Sequence, residues 1–249
     1  LLFGSLALLG VVLTAARAES SPPASPDPRF AVGEELVVDD FRHGLAQWRI
    51  ELAEGGTVAA RDGALEIDVP GGCSVWLAQP LEGPVLICYE ATAVSAGGSN
   101  DRVSDLNCFW MADDARSPGD LFATKRTGMF ADYDQLRCYY VGFGGNTNTS
   151  TRFRRYIGER GNRPLLPEHD LAGAENLLVP NAPQRIQLVA AGSAIGFYHN
   201  SRRLFAYEDP APYTRGGFAF RTVKNHLRIR DFHVYRLVPA TGATPTARP

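Results

Sequence analysis

Short runs of alternating apolar and polar residues, separated by clusters of Gly, Pro, Asn and Asp, recur along most of the chain and leave room for little but β-structure. The runs cover residues 35–41, 47–52, 57–61, 64–69, 74–79, 85–92, 105–112, 136–143, 151–157, 185–190, 194–199, 203–207, 217–222 and 227–237. In Leu65-Glu66-Ile67-Asp68-Val69 the three apolar residues share one face and the two acids point the other way, the period of a half-buried strand. Asp62-Gly63 and Asn200-Ser201 read as tight hairpin turns. In the last run the alternation slips at Asp231-Phe232 and then resumes, which predicts a β-bulge. No amphipathic helix of useful length interrupts the pattern. The expected fold is all-β, with two large antiparallel sheets packed face to face.

Both ends of the chain lack this pattern. Residues 1–18 are an apolar run closing on Ala16-Arg17-Ala18, whose small residues fit signal peptidase, so 1–18 reads as a signal peptide and the protein as secreted or periplasmic. A membrane anchor is the rival reading, but the run is shorter than the roughly 20 apolar residues that spanning requires. Residues 19–29 form a Pro/Ser spacer and 239–249 a similar tail, both expected to be disordered, with one domain at 30–238 between them. A net charge of −2 disfavours a general nucleic-acid binder, which needs a broad basic surface. No membrane contact is expected after signal cleavage, and the chain reads as a monomer. Cys73, Cys88, Cys108 and Cys138 permit disulfides in an oxidising compartment. At most one is expected, Cys108 with Cys138 on neighbouring strands; the alternative is that Cys88 and Cys108 are simply small buried residues in apolar strands.

Three segments carry candidate chemistry. Tyr139 to Tyr156 runs from paired tyrosines through Gly144-Gly145-Asn146 and returns with Arg152, Arg154 and Arg155. Arginine's planar fork suits a carboxylate and aromatics suit a sugar face; alternation puts Arg152 and Arg154 on one side and Phe153 and Arg155 on the other. The plain reading is a hairpin with a basic edge that resists aggregation. Arg221 to His226 collects an Arg, Asn225 and an imidazole at one sheet rim, able to neutralise an acid and move a proton. Glu66 and Asp68 resemble part of the paired-carboxylate strand of laminarinase-like hydrolases, but Pro70 and Gly71 follow where a third acid belongs. No cofactor and no structural metal of cysteine/histidine type is expected. Asp113-Asp114 is the pair placed to serve a structural calcium, and Glu168-His169-Asp170 are too close in sequence to converge on one ion.

The segments from Asp105 to Ala112, Tyr140 to Asn146, Thr151 to Arg155 and Phe220 to His226 resemble the YesU-like family of bacterial domains over about residues 37–237. A fainter likeness runs to secreted 3-keto-disaccharide hydrolases. The resemblance implies a concanavalin-A-like jelly roll associated with polysaccharide degradation. The expectation is therefore a carbohydrate-active protein that acts on or binds an acidic, uronate-containing saccharide in the groove of one sheet. If it is a lyase, β-elimination needs a group to neutralise the carboxylate, Arg154 or Arg221 with Asn146 or Asn225, and two proton-transfer groups, His226 with Tyr139 or Tyr140. Trp110, Asn146, Asn148, Arg152, Arg154 and Asn225 are the expected substrate contacts. The alternative is a non-catalytic lectin-like module; a third reading, a structural partner in a surface complex, predicts an exposed apolar patch instead.

Overall fold

A computed structural model describes residues 22–241. The signal peptide expected at 1–18, the start of the spacer and most of the 239–249 tail lie outside the described residues. Fourteen strands follow in order: β1 (Phe30–Asp39), β2 (Trp48–Leu52), β3 (Thr57–Arg61), β4 (Ala64–Leu77), β5 (Leu81–Glu82), β6 (Val85–Ala93) and β7 (Asn107–Asp114). They continue with β8 (Leu136–Gly144), β9 (Ser150–Ile157), β10 (Asp170–Leu171), β11 (Gln184–Ala191), β12 (Ala194–His199), β13 (Arg202–Glu208) and β14 (Arg215–Pro239). All pairings are antiparallel. Among the described residues no helix is long and apolar enough to cross a membrane.

Two layers form one curled sheet because β4 and β14 belong to both. In the first layer β10, β9, β8 and β7 lead to the first half of β14, which pairs with the second half of β4 and so with β2. In the second layer β3 pairs with the first half of β4, and the rest of β14 joins β6, β11, β12 and β13 on one side and β1 on the other. The two long strands cross together: Gly72 pairs Val223 and Val69 pairs Asn225, with a bulge between and Lys224 at φ 38°. The odd residue resets the alternation, so Phe218, Phe220, Leu227 and Ile229 all face inward on either side of the bend. The expected bulge is present at Asp231 (φ 51°), and both hairpin turns have paired positive φ at Asp62-Gly63 and Asn200-Ser201.

The core between the layers is aromatic. Trp48 of β2 stacks on Phe220 at 5.3 Å and meets Phe232 edge-on at 5.0 Å, so one ring ties both halves of β14. Phe143 of β8 packs on Phe197 of β12, and Phe153 of β9 on Phe205 of β13, each with centroids 5.9 Å apart. All four cysteines are free and buried, and the expected Cys108–Cys138 bridge is not formed. Cys108 faces this core while Cys138 faces a second apolar cluster on the outer side of the same layer. Neighbouring strands bring Cβ atoms together only when both side chains share a face.

That second cluster exists because residues 115–135, between β7 and β8, fold back over the first layer as a cap. Trp76 and Phe109 stack 5.7 Å apart at 7°, and Tyr133 of the cap lies 5.3 Å from Phe109. Glu51 fastens the cap: its Oε2 accepts from Trp76 Nε1 at 2.8 Å, Tyr133 OH at 2.8 Å and Arg126 Nε at 3.2 Å. The fully buried Arg126 also pairs with Asp114 at 3.1 Å. At the other end of the chain, Arg29 pairs with Asp27 at 2.8 Å and with Glu208 at 2.7 Å, fastening the residues before β1 to β13.

Candidate functional site

Beyond the cap, the outer face of the first layer is open. A groove of about 580 Å³ runs over β8 and β9, bounded by the 102–107 segment, the 161–163 loop and Phe130 of the cap. Its floor follows from strand parity. Tyr140 pairs with Arg154 and Gly142 with Arg152, so both arginines emerge on the outer face, and Gly142 leaves space beside the second. One end is the turn after β8, where Gly144, Asn146, Thr147 and Asn148 all have positive φ. Asparagine tolerates that conformation better than most residues. Gly144 is required there, since a Cβ would lie 2.6 Å from the Leu178 side chain. Asn146 Nδ2 donates to Ser150 Oγ at 2.9 Å and the residue lines the groove.

Four arginines face this space, and three have carboxylate partners. Arg102 pairs with Asp105 and donates to the Val223 carbonyl; Arg152 forms a two-point pair with Asp170 at 2.8 and 3.0 Å; Arg163 lies 3.4 Å from Asp134. Arg154 has none among the described residues and donates to the Arg163 carbonyl. Burial, with the like charges of Arg152 and Arg163, pushes its pKa below the usual guanidinium range. A half-buried cation held beside two others is an electrostatic vacancy for an anion. Phe130 and Tyr140 supply flat apolar surface beside it, their rings 6.0 Å apart.

The structure therefore gathers Tyr140, Asn146, Arg152 and Arg154 of the residues expected from sequence. The others fall elsewhere. Tyr139 and Trp110 face the core: the Tyr139 hydroxyl donates to Asp209 at 2.6 Å, and Trp110 is completely buried against Tyr139 and Phe153. Asn148 holds the turn in place through two 2.9 Å bonds to the Leu178 backbone. Asn225 is buried at the bend and donates to the Ser104 carbonyl. Arg221 lies under the cap. His226 sits past the bulge on the outer face of the second layer, its ring nitrogens 3.0 Å from Glu66 and 3.0 Å from Asp101. Glu66 and Asp68 occupy that same face, Asp68 bonded to Asn100, and not the groove. Asp114 has both oxygens engaged by Arg116 and Arg126. Asp170 is committed to Arg152 and His169 is buried among aromatic rings, so no cation site forms there. Among the described residues no group of three or more His, Cys, Asp or Glu is placed to hold a metal ion.

Arg102, Arg163, Asn107 and Phe130 were not legible as site residues, since each reaches the groove from a connection or a strand end, where no periodicity marks a face.

Comparison with known proteins gives the fold and no activity. A family model described as a domain of unknown function, DUF6250, matches residues 67–232. No curated protein matches the sequence. A Bacillus subtilis protein of unknown function with a galectin-like fold superposes with a TM-score of 0.65 at 18% identity, over 85% of this chain and 100% of that one. β-Agarase A from Zobellia galactanivorans gives a TM-score of 0.57 at 10% identity, covering 90% and 100% of the two chains. A carbohydrate-binding module, CBM66, from Bacillus subtilis gives 0.52 at 10% identity, covering 77% and 96%. The chain has the concanavalin-A-like, galectin-like jelly roll.

Proposed function

The chain belongs to the DUF6250 family of domains of unknown function, and from its groove we propose that it is a secreted or periplasmic carbohydrate-binding protein that takes an acidic, uronate-containing saccharide. The observation that carries this reading is Arg154, a partly buried cation without a carboxylate partner among the described residues, flanked by Arg152 and Arg163 on a floor that also holds Tyr140 and Phe130. A uronate supplies both complements: a carboxylate for the guanidinium fork and a sugar face for the rings. The fold serves carbohydrates in the agarase and in CBM66, which agrees with the reading without carrying it.

Binding fits the groove better than β-elimination. A lyase needs a base at the C5 proton, and His226 is engaged by two carboxylates on the other layer. Tyr140 is in the groove, but burial, with Tyr156 and Asp105 nearby, pushes its pKa well above 10, so its hydroxyl stays protonated.

Calorimetric titration with oligogalacturonate and with a neutral oligosaccharide of the same length tests the proposal. The acidic ligand is expected to bind and to weaken with salt, and Arg154→Ala to cost about 1.5–3 kcal/mol, the range for a charge-assisted hydrogen bond. Equal affinity for the neutral ligand, or an unchanged Arg154→Ala variant, overturns it.

A further inference from the structure

Behind the groove lies a second cation with no carboxylate partner among the described residues. Arg221 is 1% exposed, and Nη1 donates to the Gly128 carbonyl at 2.6 Å, while Nε and Nη2 have no hydrogen-bond partner among the described residues. No described carboxylate pairs with it. Glu51, two strands away by register, has its oxygens engaged by Trp76, Tyr133 and Arg126. Sequestering a guanidinium this way costs several kcal/mol unless something compensates.

The neighbours of Arg221 are polar in the same way. By register Ser74 of β4 lies on one side and Asn107 of β7 on the other, both on the outer face. Ser74 Oγ and Asn107 Oδ1 are also buried without a hydrogen-bond partner among the described residues. The row continues past Asn107 to β8 at Gly142, whose partner on β9 is Arg152. One line across five strands therefore reads Ser74, Arg221, Asn107, Gly142, Arg152. Its Arg152 end is open in the groove, Asn107 borders the groove, and its Arg221 end is covered.

The cover is thin. Gly128 supplies the carbonyl that Arg221 bonds, with φ 89°, and Phe130 lies 5.5 Å from the Arg221 guanidinium and 4.6 Å from that of Arg163. The Phe130 ring thus touches a cation of the open groove and the hidden one. Met129 between them is 55% exposed, and its backbone bonds Thr127 Oγ1 and the Asp132 amide.

We propose that Arg221, with Ser74 and Asn107 beside it, is a second carboxylate subsite, covered by the 128–130 turn and uncovered when an acidic oligosaccharide lies along the strand row. The inference rests on the binding reading above and deepens it. Arg154 of the open groove lies three strand spacings across and two residues along from Arg221 by register, roughly 16 Å at about 4.8 Å per spacing and about 3.4 Å per residue, so the ligand is an oligomer carrying at least two carboxylates and not a single uronate.

Two measurements decide it, with galacturonate and tetragalacturonate as the probes. In the full chain, amide hydrogen exchange of residues 127–132 is expected to rise with the tetramer and not with the monomer. In Arg221→Gln, the preference for tetramer over monomer is expected to fall about tenfold or more, the loss of one charge-assisted bond. Unchanged or slower exchange of the cap with tetramer bound, or a folded Arg221→Gln variant that keeps the full preference, overturns the subsite. If Arg221→Gln fails to fold, the exchange measurement on the unsubstituted chain decides alone. Failure of both acidic probes to bind removes the reading of the open groove itself, whereas binding that depends on Arg154 but shows no tetramer preference removes the covered subsite alone.

Discussion

Glu51 is where the outer face of the first layer is most sensitive to a single side chain. Its carboxylate receives a strand residue, Trp76, and two cap residues, Tyr133 and Arg126, and its Arg126 partner is fully buried. Glu51→Ala is expected to cost about 3–5 kcal/mol in urea unfolding, because it leaves Trp76 Nε1 and the Tyr133 hydroxyl without their acceptor and the buried Arg126 with Asp114 as its remaining carboxylate; a loss under about 1 kcal/mol contradicts this account of the cap. Residue type alone did not reveal such roles. Alternation placed Arg152 and Arg154 on one face, and the register agrees, since they oppose Gly142 and Tyr140 on the outer side of β8. The same alternation turns Tyr139 and Trp110 inward, where they pack the core although they are the residue types of a sugar platform. The Arg221 to His226 cluster was close in sequence, yet the bulge at Lys224 separates its members between two layers.

At the scale of elements, most strands were legible and two were cut in half. Runs 64–69 and 74–79 are the single strand β4, and runs 217–222 and 227–237 are the single strand β14. Pro70-Gly71-Gly72 and Lys224-Asn225 carry the composition of a turn because a strand passing between layers needs the same backbone freedom as a chain reversal. The cap was not legible at all, as it is held by ion pairs and ring contacts between distant residues and has no period of its own. The place where cap and strand meet can be tested at Gly72, where an added Cβ would lie 2.2 Å from the Gly128 carbonyl oxygen and 3.1 Å from Arg221 Nη2. Gly72 does not have positive φ, so alanine suits its backbone and the effect is purely steric. Gly72→Ala is expected to lower stability by about 1–3 kcal/mol and to speed amide exchange at residues 127–132. Unfolding and exchange both indistinguishable from the parent would mean that the cap does not press on the strand there.

For the whole molecule, acid should act in two stages. Burial pushes His169 and His199 below 6.5, so the unfolded chain takes up protons that the folded one refuses, and their contribution starts to fall as pH drops below 6.5. Burial also opposes ionisation of Asp114 and Asp209, but Arg116 and Arg126 in the first case, and the Tyr139 hydroxyl and Arg155 in the second, outweigh it and hold both below 3.8. Their stabilisation is present above 3.8 and is lost as pH falls through the lower folded values. Urea midpoints at about pH 7, 5 and 3 should fall in both intervals; a midpoint unchanged from about pH 7 to 5 would contradict the buried neutral histidines. The place of β14 bears on how such a chain is made. It follows the other thirteen strands in sequence, yet β1, β4, β5, β6 and β7 all take it as a neighbour. During synthesis those strands leave the ribosome with a bare apolar edge and no central partner, and neither layer closes before residues 215–239 arrive. Assembly is therefore late, governed by long-range contacts and slow, and the waiting half-sheets are the form that a chaperone must shield from self-association.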